Sequence, residues 1–332
     1  MSKKAVALIS GGLDSVLAAR VVMEQGFTIT GLYFSSAFSK SFGNEEATPA
    51  ARVAKSIGIE LRVLDMGQEY IDVIRNPKHG YGRHINPCID CKIFMLTKAK
   101  EIMNELEAPF IVTGEVLGQR PMSQRRDTLH LIERDAGLKG MVLRPLSAKH
   151  LPPTKAEEEG IVDGEKLLDI SGRSRNVQLH LAGQYGITGF SAPAGGCLLT
   201  EEHFAERLRD LFTHNPSVTP ADIRLLTLGR HFRLESGEKV VLGRDNRENN
   251  TIISLEGPGF HLFLPHDFPG PVAIMTAKPS DVEKHTVGRL MLKYSKELPG
   301  KARSIRYGPK IFAPEERAEE QASRPIKVGS GA

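Results

Sequence analysis

The stretch Ala5-Val6-Ala7-Leu8-Ile9-Ser10-Gly11-Gly12-Leu13-Asp14-Ser15 decides the fold. Its five consecutive apolar residues read as a parallel strand buried on both faces. Two glycines then allow a tight turn. Residues 15–25, with Val16, Leu17, Val21, Val22 and Met23 among small residues, read as a helix stopped at Gly26. A strand that runs through glycines into a helix makes an anion site, because the backbone approaches closely and the first-turn N–H groups point at the ligand. Ser10 and Ser15 add hydroxyl donors to Gly11 and Gly12. Asp14 is out of place beside a phosphate unless a metal or a packing role accounts for it. The pattern G-x-x-x-x-G-K-[ST] is absent, which excludes an ordinary P-loop NTPase. Taken alone, two glycines fit better a plain strand-to-helix turn capped by Ser or Asp.

Outward from this loop, strand and helix signals alternate. Residues 28–34 and 60–65 read as strands, 47–57 and 91–106 as helices, and 110–113 and 141–144 as two further strands. The fold class is therefore α/β, a doubly wound parallel sheet whose ligands sit at the carboxyl ends of the strands. Past Leu151-Pro152-Pro153 the pattern changes. Residues 160–182 read as one or two helices, 189–197 as a loop of small residues, and 201–212 as an amphipathic helix with Thr200 at its N-cap. Residues 231–234, 239–242, 251–255 and 272–275 are β-like, and 281–295 read as a closing helix. The expected domains are a sheet domain over 1–200, a helical linker over 201–219, a smaller C-terminal α+β domain over 220–312, and a charged tail over 313–332 expected to be disordered.

The 332 residues, 40% hydrophobic and 25% charged, are enough for two domains with real cores. Aromatics are 6% and Trp is absent, which speaks against wide stacking platforms. Lys and Arg number 44 against 40 Asp and Glu, so the net charge of +4 permits a nucleic-acid partner without demanding one. No apolar run approaches the roughly 18–20 residues of a membrane span, so no membrane partner is expected. The run over residues 5–9 is too short for a signal-peptide core, and a cytoplasmic location is the expectation. In that reducing compartment three cysteines do not build a disulfide framework.

Cys88 and Cys91 stand in Asn86-Pro87-Cys88-Ile89-Asp90-Cys91-Lys92, and Cys197 follows Ala194-Gly195-Gly196. In a doubly wound sheet both loops can reach the carboxyl edge. A C-x-x-C pair at a helix start is expected to have depressed thiol pKa values. Three thiolates suit a 4Fe-4S cluster with one iron left open, a redox relay, or three-quarters of a zinc site with His84 as the nearest fourth ligand. Cysteines with no joint role are the plain alternative.

The hexapeptide Ser10–Ser15 resembles the pyrophosphate loop S-G-G-x-D-S of ATP pyrophosphatases, which cleave ATP between the α and β phosphates and adenylate a substrate. The resemblance implies ATP, AMP transfer, and Mg2+ to neutralise the departing pyrophosphate. With N-P-C-I-D-C-K, T-G-E-V-L-G-Q and G-G-C added, roughly residues 1–200 resemble the tRNA thiolation branch of that superfamily. Residues 113–119 are similar to a segment of 4-thiouridine synthetases, and Asn86-Pro87-Cys88 with a later Gly-Cys is similar to 2-thiouridylases. The C-x-x-C with one distant cysteine resembles the 4Fe-4S-dependent thiouridine synthetases.

What this resemblance implies is an ATP-dependent tRNA sulfurtransferase that adenylates a uridine carbonyl oxygen and replaces it with sulfur. Ser10, Gly11, Gly12, Asp14, Ser15, Thr113, Gly114 and Gln119 would bind ATP, with Asp14 placing Mg2+ or the sulfur acceptor. Cys88, Cys91 and Cys197 would hold the cluster and act in catalysis alongside Asp14. The implied partners are tRNA and a sulfur donor, either sulfide or a persulfide carrier, with a homodimer left open. Three alternatives stand beside it: a relay in which Cys197 carries a persulfide that Cys88 or Cys91 resolves, an amidotransferase or ligase adenylating a small acid, and a non-enzymatic RNA-binding protein.

Since a THUMP-type domain has no room ahead of Lys3, the tRNA-gripping module is expected near the C-terminus. Val241-Leu242-Gly243-Arg244-Asp245-Asn246-Arg247-Glu248-Asn249-Asn250 resembles the V-G-R-N-x-x-x-N-D stretch of the NFACT RNA-binding domain, and His261-Leu262-Phe263 and Pro269-Gly270-Pro271 follow in order. That likeness covers about residues 220–310 and implies phosphate contacts from Arg230, Arg233, Arg244 and Arg247, joined by Arg303 and Arg306. A hairpin turn with solvated arginines is the plain alternative. Arg120, Arg125, Arg126, Arg144 and the segment 169–175 are further candidates for phosphate contact.

Overall fold

A computed structural model describes residues 3–39, 48–191, 197–296, 303–314 and the short strand at 326–328. Two compact units divide the chain, Met1–Thr200 and Glu201–Ala332. Among the described residues no helix is long and apolar enough to cross a membrane.

The first unit runs β1 (Lys4–Leu8), α1 (Leu13–Met23), β2 (Thr28–Ser35), α2 (Pro49–Ser56), β3 (Glu60–Asp65), α3 (Gly67–Arg75) and α4 (Cys88–Glu105). It continues with β4 (Ile111–Val112), α5 (Arg126–Asp135), β5 (Val142–Leu143), α6 (Lys155–Glu158) and α7 (Asn176–Gln184). All strand pairs are parallel, in the order β3-β2-β1-β4-β5. The pleat of β1 explains why its sequence is apolar throughout. Ala5 and Ala7 enter a core shared with Val16 and Leu17 of α1, Val53 of α2 and Ala182 of α7. Val6 points the other way, into a core with Leu96 and Met103 of α4 and Ile132 of α5. Helices thus cover both faces, which is the doubly wound arrangement.

The strand order also locates a crevice. From β1 the chain first winds toward β2 and β3, then crosses back to β4 and β5, so the order reverses between β1 and β4. At such a switch point the loops leaving the two strands diverge and leave room for a ligand. Here those loops carry residues 9–12 and 113–119.

In the second unit, α8 (Glu202–His214) and α9 (Pro220–Leu225) precede β6 (Arg230–Arg233), β7 (Lys239–Leu242), α10 (Asn246–Ile253), β8 (His261–Pro265), β9 (Ala273–Met275), α11 (Asp281–Lys293), β10 (Ile305–Tyr307), β11 (Lys310–Phe312) and β12 (Ile326–Val328). The strands form a seven-stranded sheet ordered β11-β10-β8-β9-β7-β6-β12 with antiparallel pairs. Val240, Leu242, Phe263 and Met275 pack with Val287 and Met291 of α11 on one face. Val241, Leu262 and Ile274 pack with Leu225 of α9 and Ile252 of α10 on the other.

Several local expectations are corrected. Of residues 251–255, read as β-like, 251–253 close α10 and 254–255 form the turn after it, because Asp245 accepts a hydrogen bond from the Glu248 amide and the cap outweighs the β-branched run Thr251-Ile252-Ile253. The N-cap of α8 is Glu201 rather than Thr200. Within 160–182 the α-helix starts only at Asn176. The disorder expected of the tail does not hold for residues 326–328, which pair with β6. The rest of that tail beyond residue 314, like residues 192–196 before Cys197, lies outside the described residues.

Candidate active site

The phosphate loop is shaped by its own hydroxyls. The Ser10 amide and hydroxyl donate to Ser15 Oγ at 3.3 Å, the Gly12 amide donates to Ser10 Oγ at 3.3 Å, and Ser15 Oγ–H donates to the Gly12 carbonyl at 2.8 Å. Gly11 has φ +77°, and a Cβ there would lie 2.5 Å from the Ala50 amide nitrogen, so only glycine fits. Gly12 is the N-cap of α1 in an extended conformation and has no side chain to cap it, which leaves the first-turn amides to an incoming anion. From the other side Ser191 closes the loop, its amide donating to the Gly11 carbonyl at 2.9 Å.

The segment after β4 is pressed against the same helix start. A Cβ on Gly114 would lie 2.4 Å from the Ser15 amide nitrogen. Gln119 reaches back, its Nε2 donating to Asp14 Oδ2 at 3.1 Å. Arg175 Nη2 is 4.0 Å from the same oxygen, while Asp14 Oδ1 is buried without a hydrogen-bond partner. Ser10, Gly11, Gly12, Asp14, Ser15, Gly114 and Gln119 therefore meet at the N-terminus of α1. Thr113 is buried and donates to Glu115 Oε2 at 3.3 Å, one step behind this group.

Glu115, which the sequence did not single out, ties the two motifs together. Its carboxylate lies 2.6 Å from Lys92 Nζ, the residue after Cys91, and 3.0 Å from Arg144 Nε. Burial pushes the Glu115 pKa up, but the charges of Lys92 and Arg144 prevail and hold it at about 2. Arg144 also pairs with Glu133 and is itself buried, so it braces the core rather than meeting a phosphate as expected. Arg120, Arg125 and Arg126 are exposed, and Arg126 donates to the His150 carbonyl at 2.8 Å.

Helix α4 begins at Cys88, so Cys88 and Cys91 share its first turn, one helical turn apart. Asp90 between them accepts from the Lys78 and His79 amides at 3.1 and 3.0 Å, and its Oδ1 lies 3.0 Å from His79 Nδ1. Tyr70 of α3, buried between Phe38 and Phe94, donates its hydroxyl hydrogen to Cys91 Sγ at 2.9 Å. The sequence offered one signal for that helix, the apolar spacing Tyr70-Ile71-Ile74.

The depressed pKa expected of the C-x-x-C thiols fails at Cys91. Burial pushes it up to about 12, the Tyr70 hydrogen bond opposes this, and the charges of Cys197 and Cys88 add to the rise. The helix start does not compensate for lost solvation. Cys197 is exposed and Cys88 half-buried, and both also push the Tyr70 hydroxyl up beyond the effect of its burial. Among the described residues, no three His, Cys, Asp or Glu side chains are arranged to hold a metal ion as they stand.

In the second unit the implied RNA arginines divide. Arg233 is bound by Asp210 through Nε at 3.1 Å and Nη2 at 2.5 Å, and Asp210 also takes Lys239 Nζ at 2.7 Å, so this arginine is a brace. Arg244 is paired with Glu248, Arg303 donates to Ser295 Oγ at 2.9 Å, and Arg230 lies over the Tyr294 ring at 4.8 Å. Arg247 and Arg306 are exposed.

Two family models match the chain, one within each compact unit. Residues 1–150 match the family described as Thiamine biosynthesis protein (ThiI), and residues 229–323 match the NFACT protein RNA binding domain. The chain is 30% identical over 118 residues to the tRNA-specific 2-thiouridylase MnmA of a Nitratiruptor species, covering 34% of this chain and 35% of that one. It is 25% identical over 189 residues to the enzyme of the same name from Idiomarina loihiensis, covering 50% and 51%. These matches span between about a third and a half of the relatives' length. A solved 4-thiouridine synthetase–RNA complex with bound ATP shares 26% identity over 54% of this chain and 50% of that one, with a TM-score of 0.36, too loose a likeness to set the fold. The chain carries a domain of the ThiI family over residues 1–150 and an NFACT-type RNA-binding domain over residues 229–323.

Proposed function

We propose that the chain is an ATP-dependent tRNA sulfurtransferase that adenylates a uridine carbonyl oxygen and exchanges it for sulfur. The observation that carries this reading is the Lys92–Glu115 ion pair of 2.6 Å, which joins the cysteine-bearing helix to the segment packed on the phosphate loop. An amidotransferase using ammonia has no need of a cysteine-bearing helix tied in this way to the segment on its ATP loop.

In this reading the Gly11–Gly12 backbone, the first-turn amides of α1 and the Ser10 and Ser15 hydroxyls hold the β and γ phosphates. The uridine oxygen attacks the α phosphorus and pyrophosphate leaves. A sulfur nucleophile then adds to the activated carbon, and AMP departs with the former carbonyl oxygen. A carbonyl oxygen is a poor leaving group and a phosphate monoester a good one, which is why ATP is spent. Asp14, oriented by Gln119, has an oxygen left over for Mg2+, a hard cation suited to an orphaned carboxylate. Cys88, Cys91 and Cys197 fit a 4Fe-4S cluster by donor type and number, and such a cluster supplies an open iron able to bind sulfide. The exposure of Cys197 favours a second reading, in which Cys197 takes sulfane sulfur from a persulfide carrier as Cys197–S–SH. Cys88 or Cys91 then attacks the inner Cys197 sulfur, releasing the outer sulfur as hydrosulfide to the activated carbon and leaving a disulfide.

Nucleoside mass spectrometry of tRNA from a strain lacking the gene tests the activity: a missing thiouridine is expected, and an unchanged profile refutes it. Anaerobic reconstitution with iron and sulfide separates the two sulfur routes. A brown protein that Cys197→Ala bleaches supports the cluster, whereas a trapped Cys197 persulfide with no bound iron supports the relay.

A further inference from the structure

Helices α1 and α7 lie side by side in the first unit and run the same way. At one end Arg175, the N-cap of α7, brings Nη2 to 4.0 Å from Asp14 Oδ2. At the other end Tyr185, the C-cap of α7, donates its hydroxyl hydrogen at 2.8 Å to Oε2 of Glu24, the C-cap of α1. Neither N-cap, Gly12 or Arg175, makes a side-chain cap bond, so the positive ends of two helix dipoles meet beside the phosphate loop. Only 20% of the Arg175 side chain is exposed, yet its Nε has no hydrogen-bond partner among the described residues. A guanidinium taken out of water is costly unless an anion answers it, and one oxygen at 4.0 Å engages little of its five-donor fork. Residues 170–181 contain no Asp or Glu to serve it better. Gln178, fully buried and three residues on along the same helix face, also has both amide atoms without a partner among the described residues.

We propose that Arg175 is a catalytic residue that holds the α-phosphoryl group of ATP while it passes to the uridine oxygen. The inference rests on the sulfurtransferase reading and goes beyond it by assigning a donor to the phosphorus under attack. In that reading the loop backbone, the α1 amides and the two serines are taken by the β and γ phosphates. Arg175 reaches the same place from α7, on the Asp14 side, and has N–H groups to spare. In the step, a lone pair of the uridine oxygen forms the new O–P bond. The electron pair of the bond between the α phosphorus and its bridging oxygen leaves with pyrophosphate, and uracil N3 gives its proton to water. Arg175 exchanges no proton. Its planar fork bonds two non-bridging oxygens of the phosphorus, which keeps the attacking and leaving oxygens in line and neutralises the charge spread over the equatorial oxygens.

The test uses the full chain with ATP and bulk tRNA, reading pyrophosphate release by kinetics and ATP binding by calorimetry. Arg175→Gln is expected to lower kcat about a hundredfold, the loss typical of removing one donor from a transition state, while weakening ATP binding no more than about threefold. Arg175→Lys keeps the charge without the fork and is expected to retain about a tenth of the wild-type kcat. Both variants are melted beside wild type, and the lysine variant carries the test if the glutamine variant melts early. Wild-type kcat in either variant would overturn the assignment. A variant in which ATP affinity alone falls would also overturn it, in favour of a ground-state phosphate contact. A wild-type chain that releases no pyrophosphate with tRNA would overturn the sulfurtransferase reading together with the assignment.

Discussion

Gly114 and Ser15 touch through their backbones: a single added carbon on Gly114 would sit 2.4 Å from the Ser15 amide nitrogen and 2.5 Å from the Asp14 carbonyl. The neighbours are main-chain atoms at a helix start, so they cannot swing aside. Gly114→Ala should cost about 1–3 kcal/mol of stability by overpacking. It should also weaken ATP binding more than tenfold, because the first-turn amides are displaced from their ligand. Calorimetric titration with ATP beside a thermal melt reads both, and an alanine variant with wild-type affinity would show that the contact does not shape the site.

Glu115 predicts an acid limit for the first unit. Its folded pKa of about 2 lies below the ordinary 4.5, so its stabilisation is complete above pH 4.5 and is lost as pH falls toward 2. Glu115→Gln should remove that part of the acid transition and cost about 3–5 kcal/mol at neutral pH, since Lys92 and Arg144 lose a buried counter-charge. Denaturant melts between pH 2 and 7 check both effects.

Cys91 predicts the reverse dependence. Its pKa is raised from 9.0 to about 12, so its contribution is complete below pH 9 and lost as pH rises through 12. At pH 8 in metal-free protein, iodoacetamide should label exposed Cys197 first and Cys91 last, as read by peptide mass spectrometry. Tyr70→Phe removes a donor that favours the thiolate and should slow Cys91 labelling further, at a cost of about 1 kcal/mol in stability. Faster labelling in that variant would mean that the hydroxyl shields Cys91 rather than polarises it.

Arginines with different partners should fail differently. Asp210→Asn strips the counter-charge from Arg233 and from Lys239, which is 2% exposed, and should destabilise the second unit by about 3–5 kcal/mol. Arg247→Gln and Arg306→Gln should leave the melt unchanged, and each should lower the salt slope of RNA binding by about one. Equal melting losses in all three would remove the distinction between braces and contacts.

The sequence by itself determined what is local in chain order. The apolar run over residues 5–9, the Gly11–Gly12 turn and the Cys88–Cys91 spacing each state a backbone geometry within a few residues, and the structure has a strand, a turn that only glycine fits at Gly11 and one helix turn there. Only the tertiary structure decided which charges are spent inside. Arg144 and Arg233 look like Arg247 in sequence, yet the first two face carboxylates 29 and 23 residues away. Cys91 has the spacing of an activated thiol, but burial raises its pKa instead. Both outcomes have one physical cause: solvation and charge pairing depend on what the fold brings near, and nothing local to Arg144, Arg233 or Cys91 names Glu115, Asp210 or Tyr70 as the partner.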